Sequence, residues 1–186
     1  MVLLTKIYTR GGDKGETSLG GGARVPKYSL RVDSMGAVDE TNSAIGCARL
    51  HTSGEIDAML SRIQNDLFDL GADLATPEDI KKETSLRITS DQVKRLETEI
   101  DLLNEALEPL NSFVLPGGSR AAAQLHLART LARRAERVMV NLGTSELLSE
   151  PSLHYINRLS DHLFVAARTL NDKGTTDVLW KPGENT

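Results

Sequence analysis

Arg129, Arg133 and Arg137 recur at every fourth position within the stretch Phe113–Val138, FVLPGGSRAAAQLHLARTLARRAERV. On a helix turning about 100° per residue they share an arc of about 80°, with Glu136 at its edge. Such a row of guanidinium groups can present a fixed set of donors to an anion. The opposite arc carries Leu125, Ala128, Leu131, Ala132, Ala135, Val138 and Met139, so one face is built to pack. A charged face is more often simply solvated, and its meaning depends on what other segments bring to it.

A second group of candidates lies near the N-terminus. In TKIYTRGGDKGETSLGGGARVPKY, Gly11, Gly12, Gly15 and Gly20–Gly22 place six glycines in twelve residues, interleaved with Asp13, Lys14, Thr17, Ser18, Arg24 and Lys27. Glycines permit positive φ and close approach of backbone N–H groups to a ligand, and hydroxyls and lysines are natural phosphate partners. Neither GxxxxGK[ST] nor GxGxxG occurs here, so if the loop binds a nucleotide it does so by a geometry other than these two. Taken alone, the segment reads equally well as a loose glycine-rich terminus.

Composition narrows the classes. A chain of 186 residues, 39% hydrophobic and 26% charged, is long enough for one well-filled core. Aromatics at 4% and a net charge of −4 disfavour a nucleic-acid surface, so the local basic residues suit a small anion better than a polymer. Cys47 is the only cysteine, which rules out an intramolecular disulfide and fits a reducing, cytoplasmic setting. The four histidines lack zinc-ligand spacing, so no protein-held metal is expected. Val2-Leu3-Leu4 is too short for a signal-peptide core, and no apolar run approaches a membrane span.

The elements that would hold these residues are helical. Lys6–Arg10 reads as a short strand. Helices are expected over 30–52, 55–75, from a Ser90-Asp91 cap to about Ala106, from the Pro-Gly-Gly breaker to Gly143, and from Ser149-Glu150-Pro151 to about Leu170. Residues 77–89 read as a loop. The first helix is rich in small residues, among them Gly36, Gly46 and Cys47, which suits close packing on several sides. On the fifth, Asn157, Asp161 and Arg168 form a polar stripe that could face the arginine row. The expected fold is an all-α, five-helix antiparallel bundle in one domain, 1–186, with an irregular glycine-rich loop at 1–28, the bundle at 29–174 and a tail at 175–186 that ends in a mobile KPGENT.

Three segments together, YTRGGDKGETSL, SFVLPGGS…ARTLARRAERV and YINRLSDHLF, resemble the PduO-type ATP:cob(I)alamin adenosyltransferases in order and spacing over nearly the whole chain; the VDETNSAIG run also fits. The resemblance implies a homotrimer with active sites between subunits, taking ATP and cob(I)alamin as substrates and Mg²⁺ held through the ATP phosphates. It implies an ATP site lined by Thr9, Arg10, Gly11, Gly12, Asp13, Gly15, Thr17, Ser18 and Lys27 from the loop, and by Arg133, Arg134, Glu136, Arg137 and Asn157 from the helices. Asp39 and Arg129 correspond to an acidic–arginine contact across the subunit boundary. Phe113 corresponds to the aromatic residue beneath the corrin ring, where it can displace the lower axial ligand of cobalt. Arg133, Phe113, Asp39 and Arg129 would thus serve catalysis. This chain has Arg10 where the family often shows lysine, keeping charge but changing donor geometry. Implied partners are a reductase and an adenosylcobalamin-dependent enzyme, with no nucleic acid and no membrane. A non-catalytic ATP sensor and a purely structural helical assembly remain the alternatives; neither needs an aromatic residue just before the helix.

Overall fold

The computed structural model describes residues 7–185. Val2-Leu3-Leu4 and Lys6 lie outside the described residues, and residues 7–10 form no strand. Among the described residues there are five α-helices: α1 (Leu30–Arg49), α2 (Gly54–Leu74), α3 (Ser90–Asn104), α4 (Arg120–Leu142) and α5 (Glu150–Thr169). The glycine-rich segment is less irregular than its composition predicts. Strands β1 (Glu16–Ser18) and β2 (Arg24–Pro26) pair antiparallel within it, with Thr17 opposite Val25. The 77–89 connection contains a single 3₁₀ turn, Glu78–Ile80.

Local chemistry explains where the helices start. Thr89, one residue before the expected cap, starts α3 with a reciprocal pair: its hydroxyl accepts from the Gln92 N–H and its own N–H donates to Gln92 Oε1 at 2.8 Å. Ser119 and Ser149 cap α4 and α5 through bonds from Ala122 N and Ser152 N. Gly143 does end α4, but with φ at −60° and so without a left-handed turn.

One cluster of buried apolar side chains draws on all five helices. In it α1 packs against α4 and α2, and α5 against α4 and α3. Ala128, Ala132 and Ala135 of α4 are fully buried, as the packing arc requires, while Leu131 is only half-buried. Cys47 departs from expectation. The inward positions of α1 are taken by Ala44, Ile45 and Ala48, which leaves the thiol exposed on the outer side of the helix.

Three buried carboxylates hold α2, α3 and α5 in register, and no hydrophobic period reveals them. Asp66 accepts from Tyr155 Oη and Gln92 Nε2, each at 2.9 Å, and pairs with Arg95. Burial and the Asp66 charge push the Tyr155 hydroxyl well above its ordinary range. Asp73 accepts from Arg87 Nη1 at 2.8 Å, Ile88 N at 3.0 Å and Ser152 Oγ at 2.7 Å. Glu99 meets His162 Nε2 at 2.9 Å and Arg62 Nη2 at 2.7 Å. Each would be costly to bury unpaired, and each has several partners.

Glu99 offers a test. Burial alone would raise its pKa, but the bonds from His162 and Arg62 outweigh that and hold it below the ordinary value. A depressed carboxyl contributes fully above its unfolded pKa of about 4.3, and the contribution disappears as pH falls through the lower folded value. Glu99→Gln should cost about 1–3 kcal/mol at neutral pH. Urea melts followed down to about pH 3 should show a smaller acid loss in the variant than in the parent.

Candidate functional site

The N-terminal loop is shaped mainly by its own residues. Arg24 Nη2 donates to the Gly11 carbonyl at 2.7 Å and Arg24 Nη1 to Ser18 Oγ at 3.3 Å, so one guanidinium ties the loop tip to the hairpin. Lys27 N donates to the Gly15 carbonyl at 2.9 Å, where Gly15 has φ of 83°. A Cβ at Gly12 would come within 3.0 Å of Lys27 Nζ, which is why the ammonium can lie against the backbone there. Arg10 adopts φ of 61°, a conformation uncommon for a side chain of that size. The hairpin docks on the end of α2 through Gly20 N to the Ala75 carbonyl at 2.8 Å. Thr9, Arg10, Gly11, Asp13, Gly15 and Ser18 are exposed, while Gly12 and Thr17 are partly covered.

On α4, Arg133 and Arg137 are exposed and Arg129 is half-buried. Glu136 stands 3.7 Å from Arg133 Nη1 and accepts from Asn157 Nδ2 at 2.7 Å, which joins the fifth helix to the row as the polar stripe predicts. Asp161 belongs to the same stripe: desolvation raises its pKa, with the charges of Arg158 and Arg133 pulling the other way. Arg134 turns aside and pairs with Glu40 on α1. Arg168 leaves the stripe altogether. It is buried, and its Nε donates to Asp177 at 2.8 Å.

Phe113 and Arg129 line one cleft of about 530 Å³, together with Leu110, Ser112, Val114 and Phe164. The Arg129 Nε is buried without a hydrogen-bond partner among the described residues. Burial, then the Arg133 charge, lowers the Arg129 pKa. Beneath it, His126 is held below its ordinary value by burial and by Arg129, against the opposing Asp177. Asp39 is exposed on α1 in a different groove of about 560 Å³, which includes Phe68, 73% exposed.

The tail is not free beyond the last helix. Leu115 N donates to the Val178 carbonyl at 2.8 Å, and Trp180 N to the Phe113 carbonyl at 2.7 Å. Val114 and Leu179 form an antiparallel bridge, and the Trp180 and Phe113 rings lie 6.0 Å apart at 50°. Residues 178–180 therefore run alongside 113–115, with Trp180 bordering Phe113. Sequence reading misses this, since two short paired segments carry no period; the lone tryptophan near the end was the available signal.

Within one chain the expected residues fall into separate groups. Among the described residues, no hydrogen bond or ion pair joins loop residues 9–18 to Arg133, Arg134 or Arg137, and none joins Asp39 to Arg129. What comes together is an anion-ready loop on one side, and on the other a guanidinium face running into an aromatic cleft.

Comparisons with known proteins converge on one description. The family described as cobalamin adenosyltransferase matches residues 7–170. A cobalamin adenosyltransferase of Cupriavidus metallidurans is 49% identical over 181 residues, covering 96% of this chain and 95% of its own. A corrinoid adenosyltransferase of Bacillus subtilis is 47% identical, covering 93% of this chain and 91% of its own. Among solved structures, a phenylalanine-to-histidine variant of the PduO-type ATP:corrinoid adenosyltransferase from Lactobacillus reuteri, complexed with cobalamin and ATP, superposes with a TM-score of 0.87 at 38% identity, covering 95% of this chain and 97% of the other.

The turn that opens α4 gives a local prediction. Gly118 has φ of 98°, and a Cβ there would lie 2.3 Å from Asn171 Oδ1. Gly118→Ala should therefore lose about 1–3 kcal/mol in a urea melt; a neutral result would mean that Asn171 can step aside.

Proposed function

The chain belongs to the cobalamin adenosyltransferase family, and from that premise we propose how its residues carry the reaction. The enzyme transfers the 5′-deoxyadenosyl group of ATP to the cobalt of cob(I)alamin, giving adenosylcobalamin and releasing triphosphate. A Co–C bond forms with the electron pair of Co(I) as the bond from C5′ to the triphosphate oxygen breaks. Cobalt is the nucleophile, so the protein needs no Ser–His or Cys–His pair. Its task is to hold C5′ in line and to stabilise a polyanionic leaving group.

In this reading Arg133 and Arg137 take the triphosphate. Glu136, held by Asn157, sets the direction of Arg133 or meets the ribose. Thr9, Arg10, Gly11, Gly12, Asp13, Gly15, Thr17, Ser18 and Lys27 cover the nucleotide from the loop side. Arg134, paired with Glu40, must give up most before it reaches a phosphate. Among the described residues no group of three or more His, Cys, Asp or Glu side chains could hold a metal ion, so Mg²⁺ would ride on phosphate oxygens and water. Phe113 meets the corrin, displacing the lower axial ligand of cobalt and so easing reduction of Co(II) to Co(I).

The site is shared between subunits of a homotrimer, the loop of one chain facing α4 of its neighbour. The half-buried Arg129, with an Nε unpartnered among the described residues, supports this, as does Asp39 beside the exposed Phe68. Asp39 of one subunit would supply the missing acceptor. No described helix is long and apolar enough to cross a membrane, and the single cysteine suits a cytoplasmic setting, where a reductase and an adenosylcobalamin-dependent enzyme would be the neighbours.

The observation that carries the residue assignment is that Phe113 and Arg129 line one cleft, with Arg133 about one turn further along α4 from Arg129. Mixing the protein with ATP, Mg²⁺ and reduced cob(I)alamin should give a light-sensitive Co–C product with release of triphosphate; ATP binding without that release would favour a nucleotide sensor. Arg133→Ala should lower turnover by about 10²–10³-fold with helical content unchanged. Asp39→Arg and Arg129→Asp should each lose activity and together recover part of it. Failure of the double variant to recover would remove that pair from the subunit contact.

A further inference from the structure

We propose that Asp177 is a positioning residue for the corrinoid step, acting through Trp180 on Phe113. The inference rests on the reading of Phe113 given above. Phe113 is 77% exposed, so the core does not fix its ring. What borders it is Trp180, and Trp180 is carried on a strap that begins after the last helix. The Trp180 N–H donates to the Phe113 carbonyl and Ser112 Oγ donates to the Trp180 carbonyl at 2.6 Å, so the strap and the Phe113 segment move as a pair.

The strap is secured at its root by a buried network. Asp177 has a side chain only 3% exposed, and its two oxygens accept separately from Arg168 Nε at 2.8 Å and Asn171 Nδ2 at 2.9 Å. Arg168 also donates to the Glu108 carbonyl, ahead of Phe113. Asn171 Oδ1 accepts from Ser119 N at 3.2 Å, behind it. One carboxylate is therefore linked to both flanks of the Phe113 segment as well as to the strap. The backbone is bent to make this possible: Asp172, Lys173 and Gly174 have φ of 52°, 51° and 80°, and a Cβ at Gly174 would lie 2.9 Å from Arg168 Nη2. Burying an ion pair often contributes little net stability, and in some proteins such a pair instead selects one arrangement over others. The arrangement fixed here is that of Trp180 against Phe113.

Trp180 is the sole tryptophan of the chain, so its emission reports the strap directly. Asp177→Asn keeps the shape and removes the charge. We expect helical content and the ATP-induced rise in melting temperature to be kept, while Trp180 emission shifts to the red and becomes more open to acrylamide. The kcat/KM for cob(I)alamin should fall by about tenfold or more with KM for ATP unchanged, and Asp177→Glu should recover part of the loss. Unmoved emission with unmoved corrinoid kinetics would overturn the inference, as would equal losses in the ATP and corrinoid parameters. If Asp177→Asn melts below the assay temperature, Trp180→Ala, which leaves the network intact, must show the same split between the two substrates. Phe113→Ala, run alongside, separates the two readings. If it leaves corrinoid turnover intact, the assignment of Phe113 is wrong and the route through Trp180 falls with it; if it loses turnover while Asp177→Asn keeps it, only the role of Asp177 is wrong.

Discussion

The close seating of α4 between α1 and α5 is the constraint from which the site follows. Ala128, Ala132 and Ala135 are fully buried at that contact. Their small side chains let the helices approach closely, and packed interiors leave little freedom to rotate. With the alanine face committed inward, the arginines spaced at four residues have no position but the outer face. The face they occupy is thus set by apolar contacts on the far side of the helix, and Glu136 can only adjust Arg133 within that face.

That constraint also explains what the sequence makes legible. The helices and their packing arcs follow from apolar spacing, and Asn157 facing Glu136 follows from extending the same wheel to α5. Features made by side chains finding distant partners do not. Arg168 shares an arc with Asn157 and Asp161, yet it sits near the end of α5, where Asp177 and the Glu108 carbonyl lie within reach, and it turns to them. Residues 177–180 carry no sequence signal of contact, because pairing with 113–115 has no local signature. The hairpin within the glycine-rich loop escapes notice for the same reason, being held by Arg24 and by contacts to the end of α2.

The buried carboxylates divide the bundle into two regions. Asp66, Asp73 and Glu99 lie where α2, α3 and α5 meet, each surrounded by donors. On the other side, the Arg129 Nε is buried without a hydrogen-bond partner among the described residues and lies near the like charge of Arg133. In the first region every carboxylate has its donors, although Arg87, Arg95 and His162 each keep a buried nitrogen without a hydrogen-bond partner among the described residues. The second is cationic and incomplete, as a surface is when anions and a neighbouring subunit are to finish it.

The regular pitch of α4 has a consequence for how such a chain can vary over time. Between Arg129 and Arg137 the helix advances about 12 Å at 1.5 Å per residue, so the helix acts as a ruler between the aromatic cleft and the far end of the charged row. Exchanging one side chain leaves the ruler intact. Inserting or deleting a single residue would turn every later position by about 100° and carry Arg133 and Arg137 toward the core. Length variation should therefore collect in the connections on either side, such as residues 77–89 and 143–149, while α4 keeps its count.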